Sequence, residues 1–158
     1  MFVSVNNEYC CQLNEVFMSI WFKDYKLEEI NGMGLASMTG FLEINVSKVN
    51  TDGLEATMPV NEKTKQPFGL LHGGASCVLA ESIGSIASNL VVDNTKFAAV
   101  GQSITANHLK SAHSGLVTGV CESIHIGKSS HVWDIKIYNE EKSLICVSRL
   151  TMAIITKR

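Results

Sequence analysis

The period of the hydrophobic positions changes along the chain between that of a helix and that of a strand. A short helix is predicted over 27–33, where two glycines end the pattern. Apolar and polar positions then alternate over 42–47, which indicates a half-buried strand. The turn sequence at 50–53 predicts a hairpin with a second strand over 54–60. Pro59 indicates that this strand is ending there or lies at a sheet edge.

One long helical pattern follows, from Ala75 to about Val91. Its apolar positions recur at steps of four, three and four and form one stripe, made of Leu79, Ile83, Ile86 and Leu90. Beyond the helix the alternation predicts four more strands, near 97–107, 116–126, 131–138 and 143–156. Consecutive strands favour an antiparallel α+β domain, in which a sheet of five to six strands wraps around the one long central helix.

Composition limits the class of protein. The 158 residues, 46% of them hydrophobic, suit one compact domain, predicted over 26–158 and preceded by an extension of unassigned role over 1–25. A net charge of −2 argues against a nucleic-acid partner. No window approaches the ~18 apolar residues of a membrane span, and the first residues lack the form of a signal peptide, so we expect a cytoplasmic protein that does not bind membranes.

The cysteines do not indicate a metal site or a disulfide framework. Their number is five, which is odd, and no two are spaced as C-x-x-C. Cys77, Cys121 and Cys146 lie in apolar runs, so small buried thiols are expected there. We therefore predict no metal.

The start of the long helix is a candidate site for polarising a carbonyl group. Gly73 and Gly74 open the helix, and its first N–H groups carry the positive end of the helix dipole, which suits a developing oxyanion. Gln66 and His72 flank the same point and can donate hydrogen bonds to a substrate. The alternative is that the glycines serve only close packing and that the histidine is structural.

Glu81 is the unusual residue of the helix, because its neighbours are apolar. Burial would raise the pKa of this carboxyl group, and the ionised form could act as a general base on water or as a direct nucleophile. Ser85, four residues on, lies on the same side of the helix and could orient the water or the carboxylate. The alternative is an ordinary acid on a solvated helix face.

The spacing of these groups predicts a site shared between two chains. Gly73 and Glu81 are eight residues apart, about 12 Å along a helix, whereas a reacting carbonyl must lie within about 3 Å of both the oxyanion donor and the attacking group. One helix cannot easily supply both. Two copies related by a twofold axis can, with Gly73 of one facing Glu81 of the other.

Two polar loops could bind an anionic nucleotide tail. They span 107–113 and 125–131, and each holds one lysine, Lys110 or Lys128, beside serine hydroxyls. Each loop taken alone is equally typical of an ordinary polar loop tip.

The chain resembles the hotdog-fold acyl-CoA thioesterases, in the branch of the Arthrobacter-type 4-hydroxybenzoyl-CoA thioesterase. The resemblance extends over roughly 34–155. Its most specific stretches are 54–60, 64–76, 79–85 and 106–108. It implies a dimer of dimers with active sites at the subunit interface, an acyl-CoA substrate, and no cofactor beyond the CoA of that substrate.

The resemblance also assigns roles to individual residues. The catalytic carboxylate falls on Glu81, the glutamine near the thioester on Gln66, the carbonyl-polarising histidine and glycine on His72 and Gly73, and the hydroxyl partner of water on Ser85. The implied CoA-binding residues are Gly101, His108, Leu109, Lys110, Ser111, His125, Ile126, Gly127, Lys128, Ser129 and Ser130. The chain departs from the family in its first 18 residues, in a one-residue insertion near 93–96, and in Lys128, where relatives often have arginine.

We therefore expect hydrolysis of an aromatic or hydroxylated acyl-CoA thioester. Three alternatives stay open: a broad-range or proofreading thioesterase for acyl-CoA or acyl-carrier-protein substrates, a non-catalytic module that binds CoA esters, and a hotdog dehydratase. The pairing of Glu81 with Ser85 argues against the second, and no acid–histidine pair of the kind a dehydratase needs is evident.

Overall fold

A computed structural model describes residues 19–157, and in this part of the chain one antiparallel sheet wraps around one long helix. The helices are α1 (Leu27–Met33), α2 (Met38–Phe41) and the long α3 (Gly73–Val91). The strands are β1 (Asn45–Val49), β2 (Gly53–Pro59), β3 (Phe97–His108), β4 (Leu116–Ile126), β5 (Ser130–Tyr138) and β6 (Leu144–Thr156). The six strands lie in the order β1-β2-β4-β5-β6-β3, and every neighbouring pair is antiparallel. The predicted α+β architecture is confirmed.

The core lies between α3 and the sheet. Leu79 and Ile83 of α3 are fully buried, as is Trp133 of β5. At Gly84 the helix touches the sheet so closely that a Cβ would overlap the side chain of Leu150. By length and hydropathy α3 could span a membrane, but half of that stretch is buried inside the domain, as expected of a core helix.

Ile86 departs from the predicted stripe, because it is only half-buried. It packs against the core and also lines a cavity between α3, α1 and α2.

The first strand begins later than predicted. Leu42, Ile44 and Val46 are buried at alternate positions, as expected, but β1 starts only at Asn45. The chain first forms the short helix α2, which was not predicted, and then turns through Glu43, whose φ is +58°. A left-handed residue cannot continue a strand. The alternation of apolar and polar residues therefore begins at Leu42, before β1 itself begins at Asn45.

The described part of the predicted N-terminal extension contacts the domain. The N–H of Ile20 donates to the carbonyl of Thr51 (3.0 Å), and that of Phe22 donates to the carbonyl of Leu90 (2.9 Å). Residues 1–18 lie outside the described residues, and with them most of the extension.

β3 forms one edge of the sheet. Its residues 100–103 are exposed, and its hydrogen-bonding partner on the inner side is β6. Gly101 lies opposite Met152 and Ser103 lies opposite Thr151, so Gln102 is the extra residue of a β-bulge. A long strand whose outer edge has no partner among residues 19–157 is suited to pairing with another strand.

Candidate active site

The N-terminus of α3 carries an unused backbone donor. His72 is the N-cap residue, and its Nδ1 accepts a hydrogen bond from the N–H of Gly74 (2.8 Å). In the neutral ring the proton is therefore on Nε2, which remains free to donate. The N–H of Gly73 makes no hydrogen bond to any group in residues 19–157. Both donors suit a carbonyl oxygen that gains negative charge.

A cleft of about 350 Å³ opens beside this helix end. Its polar lining residues are Gln66, Gly73, Ser76, His108, Lys110 and Ser111. The imidazole of His108 lies against Gly73, where a Cβ would be 2.8 Å from Nε2. The Oε1 of Gln66 accepts from the N–H of Phe68, which leaves the amide NH₂ to donate into the cleft. The fold thus brings the predicted carbonyl-polarising residues together with the first predicted CoA loop.

Glu81 lies two turns further along α3, where its carboxylate contacts the backbone of Gly101 on β3. Partial burial raises the pKa of the Glu81 carboxyl group, and the hydroxyl of Ser85 opposes that shift. Ser85 Oγ itself donates to the Sδ of Met152 at 3.7 Å. Glu81 therefore meets β3 next to the bulge, and Ser85 meets Met152, the residue of β6 that pairs with Gly101.

The second predicted CoA loop lies at the other end of α3. Ile126, Gly127 and Lys128 line a cleft of about 540 Å³ together with residues that include Val91 and Phe97. Ser129 contributes its carbonyl to the sheet by accepting from the N–H of Ile154 (2.9 Å), so the loop is anchored through its backbone. The imidazole of His125 lies against Gly127, Ser130 is the first residue of β5, and Leu109 is anchored by its N–H to the carbonyl of Ile145 (2.8 Å). The two loops are separated by the length of the 19-residue helix, about 28 Å.

The structure also contains a cavity that was not predicted from the sequence. It measures about 530 Å³ and lies between α1, α2 and the C-terminal half of α3. Ile30, Leu35 and Ile86 give it apolar walls, and Asn89 supplies an amide. The sequence carried no signal for it, because Ile86 fits the same apolar pattern as its buried neighbours on α3.

Within residues 19–157 no cluster of three potential metal ligands occurs. Burial raises the pKa of the Cys121 and Cys146 thiols, so both stay protonated and unreactive near neutral pH. Cys77 is half-buried and free. Cys121 and Cys146 are therefore structural.

The arrangement defines a class. A six-stranded antiparallel sheet around one long helix is the hotdog fold. In this chain the helix begins with an N–H that has no partner in residues 19–157, and it carries a half-buried carboxylate two turns on. The chain belongs to the thioesterase superfamily, which it matches over residues 68–146.

Similar proteins with names and solved structures are thioesterases too. The chain is 52% identical over 136 residues to the 1,4-dihydroxy-2-naphthoyl-CoA hydrolase of Escherichia coli, covering 86% of this chain and 99% of that one. It is 43% identical over 136 residues to a proofreading thioesterase, EntH, of Cronobacter sakazakii, covering 86% and 98%. A crystal structure of a mutant thioesterase from Pseudomonas aeruginosa superposes with a TM-score of 0.86 at 44% identity, covering 88% of this chain and all of that one. The predicted fold and family are confirmed.

Proposed function

We propose that the protein hydrolyses 1,4-dihydroxy-2-naphthoyl-CoA, or a thioester close to it, to the free acid and CoA, as a step of menaquinone synthesis. The observation that supports it most is the placement on α3 of two complementary groups, the unbonded N–H of Gly73 and the half-buried carboxylate of Glu81. The 52% identity to the hydrolase of E. coli supports the aromatic acyl group.

In the proposed reaction the thioester carbonyl oxygen accepts hydrogen bonds from the N–H of Gly73, Nε2–H of His72 and the amide of Gln66. Glu81 either attacks the carbonyl carbon or takes a proton from a water that attacks it, and Ser85 orients that water. The C–S bond then breaks, and the CoA sulfur leaves and is protonated. If Glu81 attacks, water hydrolyses the resulting anhydride. A carboxylate and hydrogen-bond donors suffice for these steps, so the proposal includes no cofactor beyond the substrate's CoA and no metal.

The site is proposed to lie between two subunits that pair through the free edge of β3. This strand runs from Phe97, in the cleft with Lys128, to His108, in the cleft with Gly73. Antiparallel pairing of two such strands places the Phe97 end of one copy beside the His108 end of the other. One subunit's Lys110 and the other's Lys128 then bind the CoA phosphates together, and Glu81 of one faces Gly73 of the other. Two such dimers form the tetramer.

The acyl group is proposed to enter the cavity between α1, α2 and α3. Ile86 and Asn89, which line this cavity, lie one to four residues beyond Ser85 on α3, so the cavity begins within about one helical turn of Ser85. Its apolar walls suit a flat aromatic ring, and the amide of Asn89 lies beside it, although in the structure this amide bonds to the backbone of Ser85 and Ala99. The three free cysteines among the described residues agree with a reducing compartment, the cytoplasm.

The second candidate is a proofreading thioesterase, which the identity to EntH favours. The two candidates differ in the acyl group and its carrier, so a panel of acyl-CoA and acyl-carrier-protein thioesters tests them, with release of the free thiol as the readout. We expect the highest kcat/KM for 1,4-dihydroxy-2-naphthoyl-CoA. A higher value for aryl or acyl carrier-protein substrates would favour proofreading, and binding without thiol release would overturn both in favour of a non-catalytic module.

A further inference from the structure

The Glu81 carboxylate rests directly on the backbone of Gly101. A Cβ built on Gly101 would overlap Oε1 of Glu81 and lie 3.1 Å from its Cδ. Gly101 is not among the glycines with a positive φ, so its backbone conformation does not itself require glycine. The absent side chain therefore matters because of the space it leaves for the carboxylate.

Two further features surround this contact. The β-bulge at Gln102 begins immediately after Gly101, and bulges re-aim a strand locally. Met152 lies opposite Gly101 in the sheet, is fully buried, and accepts the hydroxyl hydrogen bond of Ser85 through its Sδ. The paired residues Gly101 and Met152 thus contact the two side chains of α3 that the proposed reaction uses, those of Glu81 and Ser85.

We propose that Gly101 is a positioning residue for the hydrolysis: its bare backbone, held by the bulge and by Met152, fixes the Glu81 carboxylate in its attacking position. This inference rests on the function proposed above. It differs from the family resemblance, which places Gly101 in the CoA-binding set. A CoA contact acts on KM, whereas a residue that positions the attacking group acts on kcat.

The variant Gly101→Ala separates these roles. The added methyl displaces the carboxylate by about 1 Å, for which we expect kcat to fall by about 10²-fold while KM stays within about two-fold of wild type. The matched control is Gly32→Ala, because a Cβ at Gly32 meets no atom within 4 Å, and it should leave both constants unchanged. A raised KM with unchanged kcat would overturn the positioning role and support the CoA contact.

A second background distinguishes positioning from general damage to the β3 edge. The side chain of Glu81→Asp is one methylene shorter and withdraws from Gly101. Adding Gly101→Ala to that variant should therefore lower kcat by no more than about two-fold, a strong departure from additivity. A full loss in the Glu81→Asp background would show that the methyl acts elsewhere and would overturn the inference.

A further variant covers the case in which Gly101→Ala does not fold or assemble as wild type does. Met152→Leu keeps the volume of the side chain and removes the acceptor of the Ser85 hydroxyl. We expect kcat to fall about ten-fold with KM unchanged, and an unchanged kcat would overturn the role of the Gly101–Met152 pair. Activity retained in Glu81→Gln is a different outcome, because it would overturn the proposed function itself.

Discussion

A mixture of two inactive variants should recover activity if each active site is shared between subunits. The first variant is Glu81→Gln, which removes the attacking group. The second is Gly73→Pro, which removes the oxyanion donor. Gly73 is the first residue of α3, a position that tolerates proline, and His72 has φ −68° and ψ 133°, as a residue before proline requires. The proline is therefore compatible with the backbone, but its Cβ would lie 2.8 Å from Nε2 of His108, so that imidazole must shift. Because Glu81→Gln keeps the size of its side chain, both variants should fold, and circular dichroism of each variant checks this before mixing.

The size of the recovery follows from counting sites. Loss of an oxyanion donor costs about 10²–10³-fold in kcat, and loss of the general base costs about 10²–10⁴-fold, so each variant alone should retain at most about 1% of wild-type activity. When equal amounts assemble at random, about half of the dimers are mixed. A mixed dimer holds one site with both groups intact and one with neither, so about a quarter of all sites are complete.

The assay is thiol release by the two variants, refolded together or co-expressed with different affinity tags. We expect about 25% of wild-type activity in the random mixture and about 50% in purified mixed dimers. The control mixes Glu81→Gln with the double variant Gly73→Pro/Glu81→Gln, which forms no complete site and should gain nothing. If the activity of the random mixture is only the average of the two parents' activities, Gly73 and Glu81 of the same chain form one site and the shared site is wrong.

Four other predictions concern stability, pH and the nucleotide. Ser88→Ala leaves the buried Nε1–H of Trp133 without its acceptor (2.7 Å in the structure) and should lower the free energy of unfolding by about 1–3 kcal/mol in urea titrations. Burial raises the pKa of Glu81 above its usual 4.5, so kcat should fall in acid with a midpoint above that value. Because the Glu81 carboxyl ionises more easily in the unfolded chain, it destabilises the folded state as the pH rises above 4.5. Glu81→Gln should therefore have a higher Tm than wild type at pH 7, and this gain should disappear as the pH is lowered through 4.5. Lys128→Ala should raise KM for an acyl-CoA but not for the acyl-pantetheine, which lacks the nucleotide phosphates.

Most strands and the long helix followed from the sequence because local periodicity determines them, whereas the four-residue α2 is too short to show a period. β4 was predicted at its observed bounds, and β2, β3, β5 and β6 to within a residue at either end. β1 was displaced because the left-handed turn at Glu43 leaves no mark in the alternation of apolar residues. The strand order was not predictable, since it depends on contacts between residues far apart in the chain.

The candidate site was predictable only in part, for the same reason. Gln66, His72 and Gly73 adjoin one another in sequence, and Glu81 stands out in an apolar helix, so local patterns were sufficient to find them. The contact of His108 with Gly73, and that of Gly101 with Glu81, each join α3 to the distant strand β3. No spacing rule reveals such pairs, and Gly101 could be assigned only by resemblance.

Glu81 is proposed to carry out the hydrolysis of an acyl-CoA thioester. The most direct test of this proposal is the rate of CoA thiol release from 1,4-dihydroxy-2-naphthoyl-CoA by wild type, by Glu81→Gln and by Glu122→Gln, whose exposed glutamate on β4 serves as the matched control. We expect kcat to fall by about 10²-fold or more in Glu81→Gln and to be unchanged in Glu122→Gln. A folded Glu81→Gln protein that releases CoA at close to the wild-type rate would contradict the account.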